Sequence, residues 1–211
     1  MNFEQSDFLS SMSVDDFIFF KKVKLIEKAR TSWEHFEEVI YSLLDKAREG
    51  LSSSKDSFNY DDTREDAYSD MLLPYLNKYD EHGLVAVREG KSAGHCDIVI
   101  TLGSFKWLGE AKKATGYDHI YSGFLQLCNR YSACHSNSRS GGILLYCSQK
   151  KVNLVMNRWI THLSENYIEK IDSYNNQNDE NIKFTKHSHT ESGTEYKVIH
   201  YPFYLYHNPL D

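Results

Sequence analysis

The amino-acid sequence predicts an α/β protein of the α+β kind, with a mixed central β-sheet flanked by helices. Three observations point there. Between residues 62 and 147 the apolar periodicities run helix, strand, strand, strand, helix, strand, an order that yields a mixed sheet with helices on its faces. Two amphipathic helices precede that stretch, and a long helix and a β-hairpin follow it. With 40% hydrophobic residues in a chain of 211, there is enough apolar material for one substantial core. Residues 1–50 read as an N-terminal helical extension, and 51–211 as the sheet-bearing domain with its core at 62–147.

Residues 1–12 are polar and read as a frayed start. Ser13-Val14-Asp15-Asp16 caps a first helix with Phe17, Phe20, Val23, Ile26 and Ala29 on or near one face. A second helix begins near Thr31-Ser32. Its stripe is Trp33, Phe36, Val39, Ile40, Leu43, Leu44 and Ala47, and Gly50 is expected to stop it. These wide stripes predict packing onto the core and a surface for a dimer or partner. A polar connector at 51–57 leads to a third helix, capped by Asp62 or Thr63 and kinked or divided by Pro74. Leu84–Val87 reads as a short strand, and 95–102 and 104–112 as two antiparallel strands turning at Gly103-Ser104. A helix at about 118–132, a buried strand at 143–147 and a helix at about 152–171 come next. The tract 172–181 reads as polar and mobile, before closing strands near 182–187 and 196–206.

Composition narrows the function. A net charge of -6 argues against coating nucleic acid by bulk electrostatics, though a local basic groove fits within an acidic whole. Cys96, Cys128, Cys134 and Cys147 form no CxxC pair, and two of them lie inside apolar strand or helix patterns where a buried free thiol is the ordinary reading, which points to a reducing cytoplasm. No apolar run is long enough for a bilayer span, and Met1–Gln5 lacks the basic and apolar regions of a secretory signal. Neither GxxxxGK[ST] nor GxGxxG occurs, so nucleotide hydrolysis is not encoded.

The chemistry concentrates in Asp97 and the run Gly109-Glu110-Ala111-Lys112. Side chains alternate along a strand, so Glu110 and Lys112 share a face, while Trp107 packs into the core on the opposite one. The hairpin returns Glu110 to the neighbourhood of Asp97. Two carboxylates and an ammonium meeting at one point suit a hard divalent cation and a water nucleophile. Asp97 also lies in an apolar run, where an unpaired carboxylate is expensive.

On these residues the segment 62–147 resembles the PD-(D/E)XK nuclease superfamily, the restriction endonuclease-like fold. The resemblance implies that Asp97 and Glu110 bind Mg²⁺, with Mn²⁺ able to substitute. It implies the Ala111 backbone carbonyl as a further ligand and Lys112 as the cation that positions the attacking water. The proline usual before the first acid is Cys96 here. Gln126-Leu127-Cys128-Asn129-Arg130-Tyr131 is similar to the Q-x-x-x-Y signature of RecB-like members but one residue longer. Gln126 and Arg130, spaced i, i+4, are expected to reach DNA phosphate or the site. Lys113 is a further candidate nucleic-acid contact. A helical glutamate beside the metal is assigned to Glu65, with Glu38 as the alternative and Asp66 as the capping partner of Thr63.

Other features read more plainly. His187, His189, His200 and His207 form a polar strand face rather than a zinc site, since no cysteine lies at zinc spacing. Arg88, Lys91 and Lys106 line either a phosphate groove or a solvated rim. The expectation is a Mg²⁺-dependent deoxyribonuclease in microbial restriction, repair or anti-phage defence. Its partners are nucleic acid (DNA first) and a second copy or an operon-encoded protein such as an ATPase, with no membrane. The rivals are a catalytically silent nucleic-acid-binding or assembly subunit on the same fold, and an RNase.

Overall fold

Runs rich in Val, Ile, Leu and aromatics alternate with helical stripes, and the computed structural model shows where each goes. It describes residues 13–57, 59–88, 96–131 and 134–207, with the side chains of Arg130 and Tyr131 outside that set. The N-terminal elements are α1 (Val14–Ala29), α2 (Trp33–Ser53) and α3 (Glu65–Leu76). The centre holds β1 (Leu84–Val87), β2 (Ile98–Leu102), β3 (Phe105–Lys113), α4 (Tyr117–Gln126) and β4 (Ser140–Cys147). The C-terminal part adds α5 (Val152–Asn166), β5 (Ile171–Asn175), β6 (Lys183–Ser188) and β7 (Glu195–Tyr204). The chain is thus α+β.

Among the described residues seven strands form one mixed sheet in the order β1-β2-β3-β4-β7-β6-β5. The β3–β4 and β4–β7 pairs are parallel and the other pairs antiparallel. The two-residue period of β3 sorts its side chains between two cores. Trp107 and Ala111 join a core with Phe36 and Ile40 of α2 and Tyr68 and Leu72 of α3. Leu108 joins the opposite one with Phe124 of α4 and Met156 and Trp159 of α5. Helix α2 is therefore fastened to the sheet by the same cluster that holds β3. Only Ile26 and Ala29 of α1 are buried, whereas Val14, Ile18, Phe19 and Leu25 are exposed, so its stripe packs at one end only.

Several expected boundaries move, each for a tertiary reason. Helix α2 runs through Gly50 to Ser53 and buries Leu51, so Gly50 is no stop. A Cβ there would lie 2.0 Å from the Tyr75 hydroxyl, and glycine serves the close approach of α2 and α3. Helix α3 begins at Glu65 with Arg64 as an N-cap that makes no side-chain capping bond. Thr63 therefore lies one residue before the N-cap, out of position for a Thr63–Asp66 box, and its Oγ1 donates to the Asn59 carbonyl at 2.6 Å. Pro74 falls in the last turn and does not divide the helix. Helix α5 ends at Asn166, and residues 171–175, expected as part of a helix end and a mobile tract, become edge strand β5. Pairing with β6 and the stacking of Tyr174 on Phe184 at 5.2 Å supply what the local sequence does not show. Residues 1–12 lie outside the described set.

The expected polar histidine face is also corrected. His187, His189 and His200 are buried at 4%, 1% and 0% exposure, because β7 inserts beside β4 and α5 covers that face. Trp159 Nε1 donates to His200 Nδ1 at 3.0 Å, and Thr185 Oγ1 lies 2.9 Å from Nε2. Burial, reinforced by neighbouring His187, lowers His200 to about 3 and keeps it neutral. All four cysteines are free and buried. No helix among the described residues is long and apolar enough to cross a membrane.

Candidate active site

The β2–β3 register pairs Ile98 with Gly109, which sets Asp97, just before β2, across from Glu110 on the same face. The three predicted residues meet. Lys112 Nζ lies 2.6 Å from Glu110 Oε1 and 3.9 Å from Asp97 Oδ2. Asp97 Oδ2 also accepts the Ala111 backbone N–H at 2.8 Å, which fixes its carboxylate at the strand edge. Glu110 is 3% exposed and Lys112 8%. The second carboxylate oxygen, Glu110 Oε2, is buried without a hydrogen-bond partner among the described residues.

The electrostatics follow from this crowding. Burial, with the Asp97 charge adding, pushes Glu110 up to about 7 against the pull of Lys112. Burial also raises Asp97, opposed by the Ala111 N–H and Lys112 and helped by Glu65 and Asp66. Burial pulls the Lys112 ammonium down, but Glu110 and Asp97 outweigh it and hold Lys112 above its ordinary value. Among the described residues, two carboxylates against one ammonium leave a net negative charge in a poorly solvated place. Such a site favours a cation or a proton.

Glu65, the first residue of α3, reaches the same end of β3. Its Oε1 accepts the Lys113 backbone N–H at 2.7 Å and lies 2.6 Å from His119 Nε2 of α4. His119 was not singled out by sequence reasoning. Nothing in the local pattern of α4 ties it to an acid 54 positions away. Gly123 was missed too, although a glycine amid a helical stripe was a signal. A Cβ there would stand 2.8 Å from Lys112 Cε and 3.2 Å from Glu110 Cγ, so the bare backbone lets α4 close over the pair.

Other expected residues are placed differently. Lys113 Nζ donates to the carbonyls of Tyr60 (2.7 Å), Asp61 and Thr63 (both 3.3 Å), which anchors the loop before α3. Gln126 is half-buried at the end of α4, and a wider π-type turn at Leu127–Tyr131 replaces the expected α-helix beyond it. The side chain of Arg130, and Lys91, lie outside the described residues. Arg88 pairs with Asp70 at 2.5 Å and Asp66 at 3.7 Å, and Lys106 is exposed at the other end of β3. Glu38 is exposed on α2, which packs on the sheet face opposite Glu110.

Among the described residues no group of three or more His, Cys, Asp and Glu side chains gathers closely enough to hold a metal ion. A pair of carboxylates is still an adequate protein share for Mg²⁺, which retains several waters and is commonly held by one or two acids. The unpartnered Glu110 Oε2 beside Asp97 matches that need. No family model matches the chain, and no curated protein or solved structure matches it.

Proposed function

We propose that this chain is a Mg²⁺-dependent nuclease of the PD-(D/E)XK kind, hydrolysing phosphodiester bonds in DNA. The supporting observation is the open carboxylate oxygen of Glu110, buried beside Asp97 and tied to Lys112 at 2.6 Å. The helix, three strands, helix and strand from Glu65 to Cys147 place those groups at one sheet end. Asp97 and Glu110 hold the cation, with the Ala111 carbonyl as a further ligand and Glu65 at the margin. When bound, Mg²⁺ polarises a phosphoryl oxygen and acidifies water, and Mn²⁺ shares its taste for oxygen ligands. Lys112 directs its ammonium to the same point. There it orients the attacking water and steadies negative charge gathering on the phosphate. By analogy with that superfamily the setting is microbial restriction, repair or anti-phage defence, alongside a second copy or an ATPase partner.

The test is direct. Purified protein is incubated with plasmid DNA, single-stranded DNA or RNA in Mg²⁺, Mn²⁺ or EDTA. DNA cleavage in either metal and none in EDTA is expected. Cleavage that survives EDTA, or survives Asp97→Ala, Glu110→Ala and Lys112→Ala alike, sinks the reading. RNA cut in preference to DNA changes the substrate but not the site.

A further inference from the structure

Two strands away from Glu110, the C-terminal end of the parallel strands carries a second feature that the proposed chemistry does not use. A cavity of about 450 Å³ opens there between the tail of α2, the start of α5 and the end of β7. Lys55, Lys150 and Lys151 line it, with Tyr206 beneath Lys150 (Nζ to ring centroid, 5.7 Å), and Glu180 is the one acid among the described lining residues. Helix α5 starts at this point with no acid in its first turn and no side-chain cap, which adds positive potential. The cavity is connected to the triad through the strand ends. Ala114, one residue past β3, accepts from Gln149 Nε2 at 2.7 Å, and Gln149 lines the cavity. With neighbouring strands about 4.8 Å apart, the step from β3 to β7 is about 10 Å, a few nucleotides of backbone at most.

We infer that Lys55, Lys150 and Lys151 form a backbone-binding track that seats the nucleic-acid strand flanking the phosphate held at Asp97, Glu110 and Lys112. This rests on the nuclease reading for its direction and on the lysine-lined cavity for its place. In a chain of net charge -6, three lysines and one acid among the described residues that line the cavity form a local exception, as an anionic polymer requires. Compact ammonium groups contact phosphates as point charges, so the track holds strands without reading bases. Tyr206 offers a ring on which a base can stack.

The experiment measures binding separately from cleavage. Fluorescence anisotropy of a labelled oligonucleotide, single-stranded or duplex, is followed in EDTA against salt. The proteins are the intact chain, the double variant Lys150→Glu/Lys151→Glu and the triple Lys55→Ala/Lys150→Ala/Lys151→Ala. Lys150 and Lys151 are exposed, so the double variant keeps its fold, and its melting temperature checks this. The track predicts binding weakened about tenfold or more in both lysine variants, and a salt slope shallower by roughly 2 for the triple. Oligonucleotide binding that the lysine variants leave intact overturns the track while the nuclease reading stands. Lysine-dependent binding without cleavage in any metal supports the track and removes the nuclease reading. No binding by any of the proteins overturns the track.

Discussion

Glu37 and Glu110 are both buried carboxylates bonded to a lysine, one on each face of the same sheet, and they are built to opposite ends. Glu37 is 6% exposed and Glu110 3%, so burial does not separate them. What separates them is completeness. Glu37 Oε1 accepts the Ser140 hydroxyl at 2.5 Å, and its Oε2 meets Lys197 Nζ, so both oxygens and the charge are answered. Glu110 has one oxygen on Lys112 and the other without a hydrogen-bond partner among the described residues, with a second carboxylate beside it. The first arrangement fastens α2 to β4 and β7. The second leaves a deficit of positive charge that no described residue fills, and a deficit maintained inside a protein is where chemistry is sought.

The sharpest way to break this contrast is catalytic. Asp97→Ala, Glu110→Ala and Lys112→Ala should each lower the cleavage rate by about 10³-fold or more, some 4 kcal/mol of barrier. Glu37→Ala should leave the rate per folded molecule unchanged. A Glu37 variant as inactive as a Glu110 variant would mean that cleavage follows general packing. Stability reverses the order. Glu37→Ala strands Lys197 and the Ser140 hydroxyl and should cost about 3 kcal/mol in urea unfolding. Glu110→Gln, at a pH where the native acid already holds its proton, should change stability by no more than about 1 kcal/mol. Equal losses from the two substitutions would erase the distinction.

How much of this was legible in advance differs between the same two regions. The triad could be read from the sequence because strand alternation and a short hairpin fix three side chains within sixteen residues. Asp97, Glu110 and Lys112 needed only local geometry. The Glu37–Ser140–Lys197 fastening could not be read, since its members are separated by 103 and 160 positions and meet only through helix-on-sheet packing. His119 against Glu65 was hidden for the same reason. So was β5, an exposed strand whose polar sequence has no alternation to betray it until β6 is beside it. The histidines of β6 and β7 misled because polarity was read as exposure, before α5 was known to cover them.

A third prediction concerns protons. Glu110 titrates near 7 in the folded chain against an ordinary 4.5, so between those values the folded state keeps a proton that the unfolded state has lost. Stability from this group is therefore present below about 4.5 and declines as pH rises towards 7. A cation competes for the same oxygens. Metal binding should tighten over that window and level off above it. Thermal melts across pH, in EDTA and in Mg²⁺, should diverge progressively from acid to neutral. At a hundredfold excess over the dissociation constant, Mg²⁺ should add about 2.7 kcal/mol. Melts that stay superimposed at neutral pH would show that the open oxygen of Glu110 does not attract a cation. Glu37→Gln should leave the divergence in place, whereas Glu110→Gln should abolish it.

The smallest expected loss of rate tests whether the open site is also a shaped one. Gly123 lets the α4 backbone lie against Lys112 and Glu110, and a methyl there would meet Lys112 Cε at 2.8 Å and Cγ at 3.1 Å. The atoms in the way belong to a flexible side chain, so the helix need not unfold. Lys112 swings aside instead. Gly123→Ala should therefore cost only about 1–2 kcal/mol, partly offset by alanine's better helix propensity. The displaced ammonium no longer stands where water and phosphate must be held. A misplacement of about 1 Å costs roughly 10² in rate. A variant that melts almost as the intact chain does but cleaves far more slowly would tie function to the position of Lys112 and not merely to its charge. Undiminished cleavage would show that Lys112 has freedom to find its place, and that the close approach of α4 is a matter of packing alone.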